Sequence, residues 1–153
     1  PITYGHLDIA IRASRLFEKL VIGIFNNPSE KVVLFSTEER VKLATSAVRE
    51  YPNIEVQSYT ELTGEYARKI GAGVMVRGLR MGGDFEREFT LTMMGRKLFP
   101  DIEQICLMAS VEFQFLSSSI LKEGASLGAK IEEFVPPEIA VALKRKYGRN
   151  NNH

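Results

Sequence analysis

The chain has no tryptophan, one cysteine and two histidines among 153 residues, and each scarcity removes a chemistry. A lone Cys106 forms no internal disulfide, and no Cys/His spacing suited to a metal ion is written in the sequence. Within Ile105-Cys106-Leu107-Met108 the thiol reads as a small buried hydrophobe rather than a nucleophile. His6 is the only histidine outside the C-terminal tail, and the Gly-x-Ser-x-Gly turn of many serine hydrolases is missing, which argues against a serine triad. A Gly-x4-Gly-Lys-Ser/Thr phosphate loop is missing as well.

Charge of one sign is also in short supply. Twenty Lys and Arg against nineteen Asp and Glu leave +1, so there is no bulk basic field to draw nucleic acid and no nucleic-acid partner is expected. No apolar run approaches the roughly 20 residues of a membrane-spanning helix, and no charged-then-apolar leader opens the chain. The expectation is a cytoplasmic protein without a membrane partner.

What is present supports a packed core: 44% hydrophobic and 25% charged residues. Ile9, Ala13, Leu16, Phe17 and Leu20 recur at helical spacing. Leu20-Val21-Ile22-Gly23-Ile24-Phe25, stopped by Asn26-Asn27-Pro28, reads as a strand buried on both faces. Ser36 with Glu39 forms a capping box opening a helix that ends near Tyr51-Pro52. Ile54 and Val56 mark a second strand, residues 60–70 a helix closed by Gly71, and Val74-Met75-Val76 a third strand. A turn through Arg77, Gly78, Leu79 and Arg80 leads to a helix from about Asp84 to Leu98. A strand over residues 104–108 follows, then a helix after the serine run at 117–119 and a last helix from Pro136-Pro137. This order predicts an α/β, Rossmann-like single domain with a mainly parallel sheet flanked by helices over residues 1–148, and a polar tail at 149–153.

Ligands of such sheets sit outside the carboxyl ends of the strands. The loops after Phe25, Val76 and Met108 hold Lys31, then Arg77 and Arg80, then Ser117, Ser118 and Ser119. Thr3-Tyr4-Gly5-His6 stands at a helix N-terminus, where unpaired N–H groups favour an anion and an imidazole can donate to it. The same four residues also suit a plain cap, a turn and a surface histidine. Arg77 and Arg80 can grip phosphate oxygens or simply be solvated, and the serines can hold phosphate or cap a helix. Asp84, Glu86 and Glu88 are the acids a helix start favours, and Glu88, one turn from Asp84, reaches the same crevice.

In this order, Thr-x-Gly-His at 3–6, Arg-Gly-Leu-Arg at 77–80 and Leu-Ser-Ser-Ser at 116–119 resemble the nucleotidyltransferase superfamily with the (His/Thr)-x-Gly-His motif. Within it the match is to the phosphopantetheine adenylyltransferases of bacterial coenzyme A synthesis, carried further by Phe35-x-x-Glu38-Glu39-Arg40 and Asp84-Phe85-Glu86-x-Glu88 and running from Pro1 to about Tyr147. The resemblance implies transfer of AMP from ATP to 4′-phosphopantetheine, giving dephospho-CoA and pyrophosphate, with Mg²⁺, in a homohexamer. Dephospho-CoA or CoA would bind as product or feedback ligand. It implies that His6 stabilises the transition state at the α-phosphate with Thr3, that Arg80 holds ATP phosphates, and that Gly78 and Leu79 give backbone contacts to ATP. Glu88 would bind the nucleotide, and Phe113, Gln114, Phe115, Leu116, Ser117, Ser118 and Ser119 the adenine and phosphates. Arg77 and Lys31 would bind the acceptor phosphate, and Thr63 would face the pantetheine arm.

The chain departs from that family in four places. The family's first strand and Gly-Thr-Phe-Asp turn are absent, and since that strand belongs in mid-sheet, the biological chain is expected to extend upstream of Pro1. The loop before Phe35 is one residue longer, so Lys31 or Glu30 takes the lysine position, and only Lys31 has the charge. Thr63 stands where the family has an apolar residue, and Gly95 where it often has Asn. Alternative readings are another superfamily transferase, acting on nicotinate mononucleotide or glycerol phosphate, and a non-catalytic regulatory module that binds ATP without releasing pyrophosphate.

Overall fold

The structure, a computed structural model, describes residues 1–26 and 33–148. Its elements run α1 (Tyr4–Ser14), β1 (Leu20–Phe25), α2 (Thr37–Ala47), β2 (Ile54–Tyr59), α3 (Thr63–Lys69), β3 (Val74–Leu79), α4 (Gly82–Leu98) and β4 (Glu103–Met108). A single 3-10 turn at Val111–Phe113, α5 (Ser118–Ser126) and α6 (Pro137–Gly148) complete it. Local chemistry explains most boundaries. The Ser36 hydroxyl accepts from Glu39 N while the Glu39 carboxylate accepts from Ser36 N, the reciprocal box expected for α2. Gly71, at φ +71°, follows α3 in the left-handed region that glycine tolerates.

The fold is α/β and Rossmann-like, with every strand pairing parallel. β1 pairs β2 from Leu20↔Ile54 to Phe25↔Tyr59, and β3 pairs β4 from Val74↔Glu103 to Leu79↔Met108, so the carboxyl ends of each pair coincide. Where one sheet was expected, the described strands form two pairs, β1-β2 and β3-β4. No described segment lies hydrogen-bonded between them, and α1 instead touches β1, β3 and β4. A two-stranded sheet leaves each strand one unpaired edge. This corrects two expectations: β1 is at most half-buried along its length rather than buried on both faces, and Cys106 is exposed.

Two apolar clusters hold these layers. Leu7, Ala10, Val48 and Ile54 join α1 to α2 and β2. Phe35, Leu116, Leu121, Ile131, Val135, Ile139, Ala140 and Leu143 join α5 and α6 to the segment after β4. Val135, Ile139 and Leu143 are wholly buried, each worth about 1.5–3 kcal/mol in removed apolar surface. Gly78 permits the approach of α1 to β3, since a Cβ there would lie 2.9 Å from Ile9 Cγ1.

Candidate active site

Thr3 is the N-cap of α1, and His6 is its third helical residue. Thr3 N donates to His6 Nδ1 at 3.1 Å, Thr3 Oγ1 lies 2.8 Å from the same nitrogen, and His6 N donates to Thr3 Oγ1 at 3.4 Å. Here a histidine takes the place a glutamate usually fills in such a box. A backbone N–H can only donate, so Nδ1 is an acceptor; in the neutral ring the proton then resides on Nε2, which becomes a donor. Burial of the ring, foremost, and Arg80 beside it push the His6 pKa down to about 4. The residue as a whole is nonetheless exposed. The lowered pKa keeps the imidazole neutral at pH 7. Thr3 is 1% exposed, fixing the cap rigidly.

The two arginines follow from the exit of β3. Arg77 and Gly78 are exposed and Leu79 is buried, all three still within the strand, which corrects the turn expected at 77–79. Arg80 is the first residue beyond it. Arg80 Nε donates to Asp84 Oδ2 at 2.8 Å and Nη2 to Oδ1 at 3.1 Å, while Nη1 donates to Leu116 O at 3.0 Å. The Arg80 bonds hold the Asp84 carboxyl below the usual carboxylate range. Arg77 Nε and Nη2 donate to Glu88 Oε2 and Oε1 at 2.8 and 3.2 Å, a bidentate fork. Both arginines are therefore pre-shaped by acids on one face of α4, and Glu88 meets an arginine of the site.

The segment after β4 closes the third side. Phe113 lies half-buried beside Tyr4, with ring centroids 6.4 Å apart, and its Cβ would be 3.5 Å from a Cβ built on Gly5. Gln114 Nε2 donates to Ala109 O at 3.5 Å. Phe115 is exposed with its ring edge-on to Phe134, and Leu116 is buried. Ser117 caps α5 by accepting from Ile120 N at 3.2 Å, Ser118 Oγ donates to Pro1 O at 2.9 Å, and Ser119 is exposed.

Thr3, His6, Arg80 and the 113–118 segment are thus joined where α1 begins and β3 ends, and Arg77 and Glu88 pair with each other between β3 and α4. Thr63 is not tied to them: it opens α3, is exposed, and its hydroxyl lies 3.0 Å from Tyr59 OH. Lys31 and Glu30 lie outside the described residues. Asp8, which no sequence motif singles out, also bears on the site. Its carboxylate accepts from Ser110 N at 3.0 Å and Ser110 Oγ at 2.9 Å, and from Arg12 Nη1 at 3.1 Å. Burial opposes its ionisation, but the Ser110 and Arg12 bonds prevail and hold its pKa low. Arg12 Nη1 also donates to Met108 O at 2.7 Å.

Residues 1–124 match the family described as Cytidylyltransferase-like. The chain is 48% identical over 149 residues to the phosphopantetheine adenylyltransferase of Roseiflexus sp. (strain RS-1), covering 97% of this chain and 92% of that protein. It is 46% identical to the same-named protein of Thermomicrobium roseum, over 96% of this chain and 89% of that one. For Caldanaerobacter subterraneus subsp. tengcongensis the figures are 41%, 98% and 93%.

Proposed function

Because the chain belongs to the cytidylyltransferase-like family and, within it, to the phosphopantetheine adenylyltransferases, we propose that it transfers AMP from ATP to 4′-phosphopantetheine. The products are dephospho-CoA and pyrophosphate. The observation that carries the site reading is the Thr3–His6 box, which leaves a neutral imidazole with its donor on Nε2 beside Arg80. Residues 1–148 are read as one nucleotidyltransferase domain.

The chemistry suits these residues. A phosphate monoester has a second pKa of about 6, so near neutral pH it attacks without a general base. An acceptor oxygen bonds to the α-phosphorus as the bond from that phosphorus to the β-bridging oxygen breaks, and pyrophosphate leaves with the electron pair. The protein positions two anions in line and stabilises the charge that develops. In this reading His6 Nε2–H donates to an α-phosphate oxygen, and Thr3 holds the ring. Arg80, the Gly78 and Leu79 backbone, Glu88 and residues Phe113, Gln114, Phe115, Leu116, Ser117, Ser118 and Ser119 bind ATP. Arg77, Lys31 and Thr63 serve the acceptor.

Mg²⁺ is part of this proposal as a companion of ATP. Among the described residues no three His, Cys, Asp or Glu side chains cluster as cation ligands. The nearby acids are engaged, Asp84 by Arg80, Glu88 by Arg77 and Asp8 by Arg12 and Ser110. That donor set does not suit a resident metal, so the ion enters as MgATP, held by phosphate oxygens and water.

A homohexamer is the proposed assembly, and α4 supports self-association. None of its residues from Gly83 to Leu98 is buried. Asp84, Glu88, Thr92 and Gly95 form its least exposed stripe, while Phe85, Phe89, Leu91, Met93, Met94 and Leu98 are exposed. With the exposed Met81 at its N-cap they offer apolar surface of the kind that subunit contacts cover. Cytoplasmic location is also proposed; among the described residues no helix is long and apolar enough to cross a membrane.

An acceptor screen tests the reaction. With MgATP, 4′-phosphopantetheine should release pyrophosphate, whereas nicotinate mononucleotide and glycerol 3-phosphate, the latter also with CTP, should not. Turnover with either of the latter alone would reject the reading. Light scattering of the native protein should give six chains, and a monomer would reject the hexamer.

A further inference from the structure

We propose that Asp8 is a positioning residue: its carboxylate latches the nucleotide-binding segment after β4 to the helix that carries His6. Three donors converge on this one carboxylate, two of them from Ser110, which is 102 residues away in the chain. The Asp8 side chain is 11% exposed, so these bonds are sheltered from competing water. Arg12 completes the latch by bridging Asp8 and Met108 O, gripping the last residue of β4 as well as the start of the next turn.

The geometry separates this role from direct participation. Asp8 stands two residues from His6 on α1, a spacing that puts the two side chains on different faces. Its influence runs through the backbone. The segment it holds is fastened again at Leu116 O by Arg80 and passes Gly5 at Phe113. Loosening the Ser110 end would therefore let Phe113 to Ser117 shift relative to His6 while leaving Arg77 and the acceptor side in place. Loss of charge-assisted bonds of this kind is expected to weaken ATP capture by roughly tenfold.

The inference rests on the adenylyl-transfer reading above, and its test separates the two. Asp8→Asn is nearly isosteric: its oxygen can still accept from Ser110 N and Arg12 and its NH₂ can donate to the Ser110 hydroxyl, so what it removes is the charge that strengthens these bonds. Expected are a roughly tenfold higher KM for MgATP and a KM for 4′-phosphopantetheine and a kcat changed by less than about threefold. Ser110→Ala should move KM for ATP the same way but less, and Ser110→Thr, which keeps the hydroxyl, should restore it. Amide hydrogen exchange over residues 110–117 should quicken in Asp8→Asn without substrate. Unchanged KM for ATP, or an equal rise in both KM values with a lowered Tm, would overturn the latch. The exchange arm needs no turnover: were wild type inactive with every acceptor, the reaction reading would fail by itself. Unchanged exchange would still overturn the latch and faster exchange would support it.

Discussion

Arg77 faces Glu88 as a two-pronged fork, Nε to Oε2 at 2.8 Å and Nη2 to Oε1 at 3.2 Å, across the junction of β3 and α4. The Arg77 side chain is 43% exposed and that of Glu88 15%. The pair holds Arg77 in one orientation while leaving it open to a dianion that competes for the same fork. Arg77→Ala is expected to raise KM for 4′-phosphopantetheine at least roughly tenfold, as loss of a charged hydrogen bond does, with KM for ATP little changed. Lysine, lacking the planar fork, should restore little of it. Because the largely covered Glu88 carboxylate loses its partner, a stability loss of about 1–3 kcal/mol is also expected, and melting curves show whether the variant is still folded at the assay temperature.

His6→Ala should lower kcat by roughly 100-fold to 1000-fold, the loss on removing one preorganised oxyanion donor. Single-turnover kinetics with saturating ATP measure it. More than a tenth of wild-type turnover in the variant would count against the role.

The pH dependence of stability has a fixed sign. The His6 pKa is lowered from its ordinary 6.5 to about 4, so between those values the unfolded chain takes up a proton that the native chain does not. Stability is then full above about pH 6.5 and declines as pH falls toward 4. Asp8 and Asp84, both lowered, add a second decline at more acid pH. Urea unfolding at pH 7 and pH 4.5 tests the first window, and imidazole NMR should show a ring still neutral at pH 6. Constant stability, or a ring titrating at 6.5, would contradict the arrangement.

Gly5 and Gly78 should respond oppositely to alanine. A Cβ at Gly5 meets only ordinary contacts, 3.5 Å from Phe113 Cβ and Thr3 Oγ1, so Gly5→Ala should fold with unchanged or slightly raised Tm. Its turnover should nevertheless fall, because the methyl occupies the approach to the α1 N-terminus. At Gly78 a Cβ would press on Ile9, and overpacking of this kind costs about 1–3 kcal/mol. Thermal melts of Gly78→Ala should show that loss.

The residues that were legible in the sequence are those whose partners lie close by in the chain. The Ser36–Glu39 box and the bounds of β1 follow from spacing and from Asn26-Asn27-Pro28. Thr3 and His6 were legible as a helix start, yet α1 begins at Tyr4 and ends at Ser14, leaving Leu16, Phe17 and Leu20 outside it. Helical spacing in that stretch was overridden by the turn into β1. Asp8 was not legible because its meaning lies in Ser110, 102 residues away. Cys106 misled because an apolar run does not reveal that, among the described residues, its strand has a single neighbour. The pairing of Arg77 with Glu88 needed the direction of α4 relative to β3, which no local pattern encodes.

The central claim is most directly tested by following pyrophosphate and dephospho-CoA together from MgATP and 4′-phosphopantetheine. Adenylyl transfer predicts that the two products appear in equal amounts, only when both substrates are present, and that His6→Ala suppresses both. Pyrophosphate released without the acceptor, or ATP bound with neither product formed by the folded native protein, would contradict it.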